Sequence, residues 1–174
     1  MGDEGALAEV AVLRPATGSD LDGLVELTWA VAAEGSWIGP EVPFDRAARR
    51  QLFAGLVSGP FSTIFVADRA APAGPGVVGY ITVAIAAYGV ADIGMLVERD
   101  WRGRGIGKAL LGAAIDWAGA AGAHKMALEV WPHNAPAIGL YLRAGFVEEG
   151  RKRRHYRRST GELWDSVLMG RPLP

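Results

Sequence analysis

Glycine and cationic side chains are concentrated near the middle of the chain, directly after a short apolar segment. Arg102, Gly105 and Gly107 form an R-x-x-G-x-G pattern there, and apolar residues at helical spacing follow it. The first N–H groups of a helix lack internal partners and carry the positive end of the helix dipole. Glycines let an anion approach these groups closely, so the pattern predicts a pyrophosphate-binding turn. An ordinary tight strand-to-helix turn is the alternative. The predicted site comprises Arg102, Gly103, Arg104, Gly105, Ile106, Gly107 and Lys108.

A single carboxylate interrupts the apolar segment 126–130. Glu129 is its only charged residue, and a strand buried on both faces rarely contains a carboxylate without a function. Desolvation would raise the pKa of such a group, so that it could accept a proton from an ammonium group near neutral pH. Glu129 is therefore a candidate general base. The alternatives are a strand with one solvated face and a Glu paired with a nearby arginine.

Two polar side chains lie seven residues apart in the next predicted helix. Asn134 and Tyr141 therefore share one side of that helix and could form a ligand-binding wall. A tyrosine hydroxyl is protonated at pH 7, so Tyr141 could donate a proton to a departing thiolate. The alternative for Tyr141 is a core aromatic residue with a solvated hydroxyl.

The two motifs together resemble those of the GCN5-related N-acetyltransferases (GNAT superfamily). The first corresponds to the family's coenzyme A pyrophosphate loop. The second corresponds to its N-x-x-[AG]-x-x-x-[YL] helix, which ends in G-F. The matching residues of the second motif are Asn134, Ala137, Tyr141, Gly145 and Phe146. The resemblance covers most of the chain and is closest to the branches that acetylate free amino acids or protein N-termini.

The resemblance implies a set of roles in acetyl transfer from acetyl-CoA to a primary amine. Backbone N–H groups of Met95, Leu96 and Val97 would hold the pantetheine arm and polarise the thioester, and Asn134 and Tyr141 would line the cofactor site. Glu129 would take the proton of the amine, and Tyr141 would protonate the leaving thiolate. Glu98 and Asp92 are the reserve candidates for the base.

The first two helices and their connecting loop form the acceptor pocket in this family. The aromatic and acidic residues there suit an amine, although they could equally pack against one another. The predicted acceptor-binding residues are Trp29, Glu34 and Trp37. The expected acceptor is a small amino-acid-like amine. The alternatives are a protein N-terminus, as in ribosomal-protein acetyltransferases, and a non-catalytic coenzyme A-binding regulatory protein.

Hydrophobic periodicity and turn residues predict the element order β-α-α-β-β-β-α-β-α-β-β. This order, which is also that of the GNAT family, indicates an α/β (α+β) domain. A mixed, mostly antiparallel central sheet would have helices on both faces. Residues 1–7 are predicted to be a flexible tail and residues 8–174 one domain. The closing strands are predicted at residues 146–149 and 163–169.

Composition excludes several classes of protein and of site. The chain has 174 residues, a net charge of −1, no cysteine and three histidines, which excludes disulfides and thiolate metal sites and makes a metal cofactor unexpected. The N-terminus does not resemble a secretory signal, and no apolar run reaches membrane-spanning length. We therefore expect a cytoplasmic protein that binds neither a membrane nor a nucleic acid. A homodimer is expected on a separate ground, because sheets of this type commonly pair and their closing strands are exposed.

One basic run needs a separate interpretation. Residues 151–158 contain six cationic side chains together with His155 and Tyr156. The favoured interpretation is a solvated turn between the closing strands. Nucleic-acid binding is the weaker alternative, and recognition of an acceptor carboxylate by one arginine is a third possibility.

Overall fold

The computed structural model describes residues 11–70 and 76–174, which form seven strands and four α-helices. The predicted tail, residues 1–7, lies outside the described residues, and the single domain stays a prediction. The strands are β1 (Ala11–Pro15), β2 (Ser62–Arg69), β3 (Val77–Ile85), β4 (Val90–Val97), β5 (Lys125–Val130), β6 (Val147–Arg157) and β7 (Leu163–Pro172). The helices are α1 (Leu21–Ala32), α2 (Arg46–Ser58), α3 (Ile106–Ala120) and α4 (Ala135–Arg143). This order confirms the predicted α/β fold.

One sheet of seven strands, in the order β1-β2-β3-β4-β5-β7-β6, forms the centre of the fold. Neighbouring strands are antiparallel except β4 and β5, which are parallel. Their ladder contains only three pairs, the last of which joins Asp92 to Ala127. Beyond that pair the two strands no longer bond to each other, so the sheet has an opening at its centre.

Helices cover both faces of the sheet because successive side chains of each strand point to opposite faces. On one face, α3 buries Ile106 and Leu110 in a core that also contains Met126 and Tyr141. On the other face, α1 and α2 bury Leu24, Val31 and Phe53 against Ile64, Val66, Tyr80 and Leu96. None of the helices in the described residues is long and apolar enough to span a membrane.

The structure corrects the interpretation of the basic run. Residues 151–157 belong to β6, which pairs antiparallel with β7 through Lys152 and Ser166 and through Tyr156 and Trp164. A register irregularity separates these two pairs, and Arg154 adopts a positive φ of 48° there. The closing strand predicted at residues 146–149 is the start of β6. Cationic side chains hid its continuation because they suppress the hydrophobic alternation from which strands are recognised.

A partly buried ion pair fixes the entry to α1. Arg14 on β1 donates two hydrogen bonds to the carboxylate of Asp20, at 2.8 and 2.7 Å, and the N–H of Thr17 donates a third at 2.7 Å. The hydrogen bond from Arg14 is the main cause that lowers the pKa of Asp20 to about 2, against 3.8 for an unperturbed Asp. The charged carboxylate therefore stabilises the folded state.

We predict that Asp20→Asn lowers the free energy of unfolding at pH 7 by about 2 kcal/mol. A depressed folded-state pKa contributes stability above the unfolded pKa and loses it as the pH falls through the folded pKa. The difference between wild type and variant should therefore shrink between about pH 4 and pH 2. Urea unfolding at several pH values measures it. Asp22→Asn, which breaks an exposed pair with Arg50, is the control and should cost less than about 1 kcal/mol. Equal losses in the two variants would contradict the prediction.

Candidate active site

The predicted anion-binding turn joins β4 to α3. Gly103 and Gly105 have φ values of 75° and 83°, which side chains other than glycine rarely adopt, and α3 begins directly afterwards at Ile106. The N–H of Ala109 bonds to the carbonyl of Gly105 at 3.1 Å. The N–H groups of the turn that come before Ala109 make no bond of this helical kind, and they lie at the positive end of α3. The turn thus has the geometry of an anion site.

A carboxylate in the loop directly after α1 holds this turn in place. Glu34, whose side chain is 9% exposed, accepts two hydrogen bonds from the guanidinium of Arg102 at 2.9 and 2.6 Å. Arg102 also donates from Nε to the carbonyl of Val97, at the end of β4. The bonds from Arg102 are the largest cause that lowers the pKa of Glu34. The guanidinium of Arg102 therefore positions the turn, and cofactor binding by the turn residues stays a prediction.

A cavity of about 1120 Å³ runs past this turn and through the opening between β4 and β5. Its wall includes Met95, Leu96 and Val97 from β4, beyond the last β4–β5 pair. Strand N–H groups that face a separated neighbour are available to a ligand. The turn contributes further lining residues, namely Arg102, Gly103, Gly105, Ile106, Gly107 and Lys108.

Glu129 lies on the cavity wall in a polar surrounding. It is paired with Lys152, and it accepts hydrogen bonds from the Tyr156 hydroxyl at 2.6 Å and from the Ser166 hydroxyl at 2.9 Å. Partial burial alone would raise the pKa of Glu129, but these three bonds together lower it. The prediction that the pKa of Glu129 is raised is therefore wrong, because β5 is not buried on both faces. The side chain of Glu129 is 33% exposed.

The two reserve carboxylates differ in their surroundings. Asp92 lies on β4 and pairs with Ala127 of β5. Because Glu129 follows Ala127 by two residues, the side chains of Asp92 and Glu129 lie on the same face of the sheet. Partial burial and the negative charge of Glu129 raise the pKa of Asp92. Glu98 pairs with Arg69 at 3.5 Å and does not line the cavity. Glu129 is therefore the one of the three that lines the cavity.

Tyr141 and Asn134 line the cavity from α4 and its N-terminus. Tyr141 is 6% exposed, its ring packs 5.7 Å from that of Phe146, and burial raises its pKa to about 12. A phenol with this pKa stays protonated and can donate a proton. The side-chain oxygen of Asn134 accepts a hydrogen bond from the N–H of Ala137 at 3.3 Å and caps α4.

The predicted acceptor residues separate into two groups. Trp37 lines the cavity and donates from its indole N–H to Glu34 at 2.8 Å. Trp29 packs against Phe44 at 5.1 Å and does not line the cavity, and neither does Glu34. Arg104, which was predicted for the cofactor site, does not line the cavity either, and its guanidinium lies 5.0 Å from the ring centre of Trp101. For these three residues the contacts support structural roles, and their predicted binding roles stay predictions. Among the described residues no cluster of acidic, histidine or cysteine side chains could hold a metal.

Residues 26–146 match the Acetyltransferase (GNAT) family. This chain belongs to that family. The methionine sulfoximine/methionine sulfone acetyltransferase of Pseudomonas paraeruginosa is 30% identical over 150 residues, which are 80% of this chain and 82% of that protein. The L-amino acid N-acetyltransferase AaaT of Escherichia coli is 35% identical over 86 residues, 47% of this chain and 51% of that one.

Solved structures agree with this assignment. A GNAT phosphinothricin acetyltransferase from Sinorhizobium meliloti, solved in complex with acetyl-CoA, superimposes with a TM-score of 0.82 at 25% identity. The match covers 94% of this chain and 89% of that one. The resemblance inferred from the two sequence motifs is confirmed, and this GNAT protein is an acetyltransferase.

Sequence reasoning missed the partners of Glu129 in this GNAT protein. Lys152, Tyr156 and Ser166 come from β6 and β7, far along the chain, and reach Glu129 only through strand pairing. The one signal in the sequence is Tyr156, an aromatic residue within a run of cations. Trp131, which is 6% exposed and packs 5.0 Å from Tyr156, was missed as well.

We predict that Glu34→Gln loosens the anion-binding turn. The substitution replaces a charge-assisted pair with weaker bonds, each originally worth about 1.5–3 kcal/mol. Amide hydrogen exchange over residues 102–108 should therefore become about ten- to a hundredfold faster. Exchange followed by mass spectrometry measures this. Glu26→Gln removes an exposed carboxylate of α1 that pairs with Arg46, and it serves as the control. Unchanged protection in Glu34→Gln would show that other contacts hold the turn.

Proposed function

We propose that this GNAT protein transfers the acetyl group of acetyl-CoA to the primary amine of a small amino-acid-like acceptor. The observation that carries the proposal is the cavity, which joins an anion-binding turn to a carboxylate and a phenol at the opening between β4 and β5. The relatives named for methionine sulfoximine and for L-amino acids, and the acetyl-CoA complex of the similar structure, support it.

Acetyl-CoA would bind with its pyrophosphate on the N–H groups of residues 103–108. Its pantetheine arm would run along the free edge of β4, where Met95 and Val97 line the cavity. An N–H group at that edge would donate to the thioester carbonyl and stabilise the negative charge that develops on its oxygen. Because this donor belongs to a strand of the central sheet, it is already in place before the reaction.

Glu129 and Tyr141 would act from opposite faces of the sheet. Alternation along β5 places Met126 and Leu128 in the core beneath α3, with Tyr141, and turns Glu129 to the other face. The amine would therefore approach from the face of Glu129, while the thiolate would leave beside Tyr141. This separation keeps the base and the acid from neutralising each other.

The chemistry requires two proton transfers between side chains of this chain and the substrates. The ammonium group of the acceptor loses a proton to Glu129, directly or through water, and the neutral nitrogen attacks the thioester carbon. A C–N bond forms, the C–S bond breaks, and the sulfur takes a proton from Tyr141. The nitrogen loses one of its two remaining protons to solvent as the amide forms and keeps the other. Tyr141 then recovers its proton from solvent, and Glu129 releases to solvent the proton that it accepted. The lowered pKa of Glu129 keeps it ionised at neutral pH and therefore able to accept a proton, although it also makes Glu129 a weaker base than a carboxylate with a raised pKa.

We predict that Glu129→Gln and Tyr141→Phe each lower kcat by about 10²- to 10⁴-fold, the usual contribution of a general base or acid. Release of the coenzyme A thiol in the presence of amino acids, short peptides and polyamines measures the rate. Glu26→Gln and Tyr88→Phe are matched controls, because both residues are exposed and lie outside the cavity. Full activity in Glu129→Gln would remove Glu129 as the base. Thiol release with peptides alone would indicate a protein N-terminus as the acceptor.

We also predict that the ion pair between Lys152 and Glu129 shifts the pH dependence of kcat/KM. Because the base must be ionised, kcat/KM should fall on the acid side as the pH drops through the lowered pKa of Glu129. Lys152→Met removes a donor and a positive charge, so the pKa of Glu129 should rise and the acid limb should move to higher pH. Lys125→Met, which instead breaks a pair with Glu149, is the control. If the acid limb of the kcat/KM profile does not move in Lys152→Met, Glu129 is not the general base.

A further inference from the structure

Three arginines on α2 differ in their partners. Arg46 pairs with Glu26 and Arg50 pairs with Asp22, so both turn toward carboxylates of α1. Arg49 turns instead into the cavity and lies 5.4 Å from the ring centre of Phe44. None of the described carboxylates forms an ion pair with Arg49. A half-buried guanidinium on a cavity wall without an acidic partner is suited to an anionic ligand.

Arg49 stands at the end of an apolar stripe on α2. Leu52, Phe53 and Leu56 follow it at spacings of three, four and seven residues, and all of them line the same cavity. Leu52 is 50% exposed, which is unusual for a large apolar side chain that borders a cavity. Val31 and Ile38 line the cavity as well. This part of the cavity is therefore apolar, with one cation at its margin.

The polar groups near the stripe satisfy one another. The hydroxyl groups of Thr28 and Tyr80 lie 2.7 Å apart, and that of Thr28 also donates to the carbonyl of Leu24 at 2.7 Å. Burial raises the pKa of Tyr80 to about 12, and the positive charge of Arg49 acts against this rise. Arg49 thus lies near the buried Tyr80 hydroxyl and supplies the positive charge at this end of the cavity.

Arg49 and Glu129 border the same face of the sheet. Tyr80 and Thr82 share one face of β3, and Thr82 pairs with Gly94, which lines the cavity. Asp92, on that face of β4, pairs with Ala127, and Glu129 follows on the same face of β5. A molecule on this face meets a carboxylate at one side, a guanidinium at the other, and apolar side chains between α1 and α2.

We propose that Arg49 binds the carboxylate of the acceptor, and that the substrates are free amino acids with large apolar side chains. The ammonium group lies toward Glu129 and the side chain lies along the stripe of Leu52, Phe53 and Leu56. This inference rests on the proposed function and deepens it. Arg49 would repel a polyamine, and a peptide N-terminus would present a neutral amide instead of a carboxylate.

The test compares amino acids with the amines that lack only the carboxylate. Leucine is paired with isoamylamine and phenylalanine with phenethylamine, and kcat/KM is measured for each by thiol release from acetyl-CoA. We expect wild-type enzyme to prefer the amino acids. Arg49→Gln should reduce this preference about ten- to a hundredfold, mainly through KM, while kcat/KM for the amines changes little. Arg49→Lys should recover part of the preference, since it restores the charge without the planar fork.

Arg50→Gln is the matched control, because Arg50 is a neighbouring arginine that points away from the cavity and pairs with Asp22. It should keep the wild-type preference. Stabilisation by acetyl-CoA in a thermal shift assay confirms that Arg49→Gln is folded. A wild-type enzyme that favours the amines, or a preference that survives Arg49→Gln, would overturn the role of Arg49 and leave acetyl transfer standing. The absence of thiol release with every acceptor would overturn the proposed function, and this inference with it.

Discussion

The early end of the ladder between β4 and β5 is the constraint on which the site depends. Parallel strands that stayed paired would use every facing N–H and C=O group for each other. After Asp92 and Ala127 these groups no longer meet, so the centre of the sheet contains both an opening and free hydrogen-bonding groups. The opening lets one cavity reach both faces of the sheet, and it places rigid backbone donors at the point where two substrates would meet.

The two faces create opposite chemical environments around that opening. Tyr141 is buried among apolar residues, and burial raises its pKa because the phenolate would be poorly solvated there. Glu129 is only partly buried and has three donors, so its ionised form is favoured despite the cost of burial. One group thus stays protonated and the other stays charged at neutral pH. Residue type already sets these two protonation states at neutral pH, and the environment of each group reinforces them.

Glu34 shows how the anion-binding turn and the neighbouring loop are connected. Its carboxylate accepts hydrogen bonds from Arg102 in the turn, from Arg99 before it, and from the indole of Trp37 on the cavity wall. A single buried charge with three donors from two segments restrains both segments together. The turn between β4 and α3 and the loop after α1 therefore share one anchor at the edge of the cavity.

Local backbone preferences made much of this protein predictable from sequence. Glycines with positive φ at the start of α3, an Asn cap on α4, and the spacing of Asn134 and Tyr141 act within a few residues of one another. These signals were sufficient for the element order and for the position of the turn before α3. The tertiary structure alone determined the continuation of β6 through the basic run, the environment of Glu129 and the orientation of Arg49. These features depend on strand register and helix packing between distant segments, which no local pattern in the sequence records.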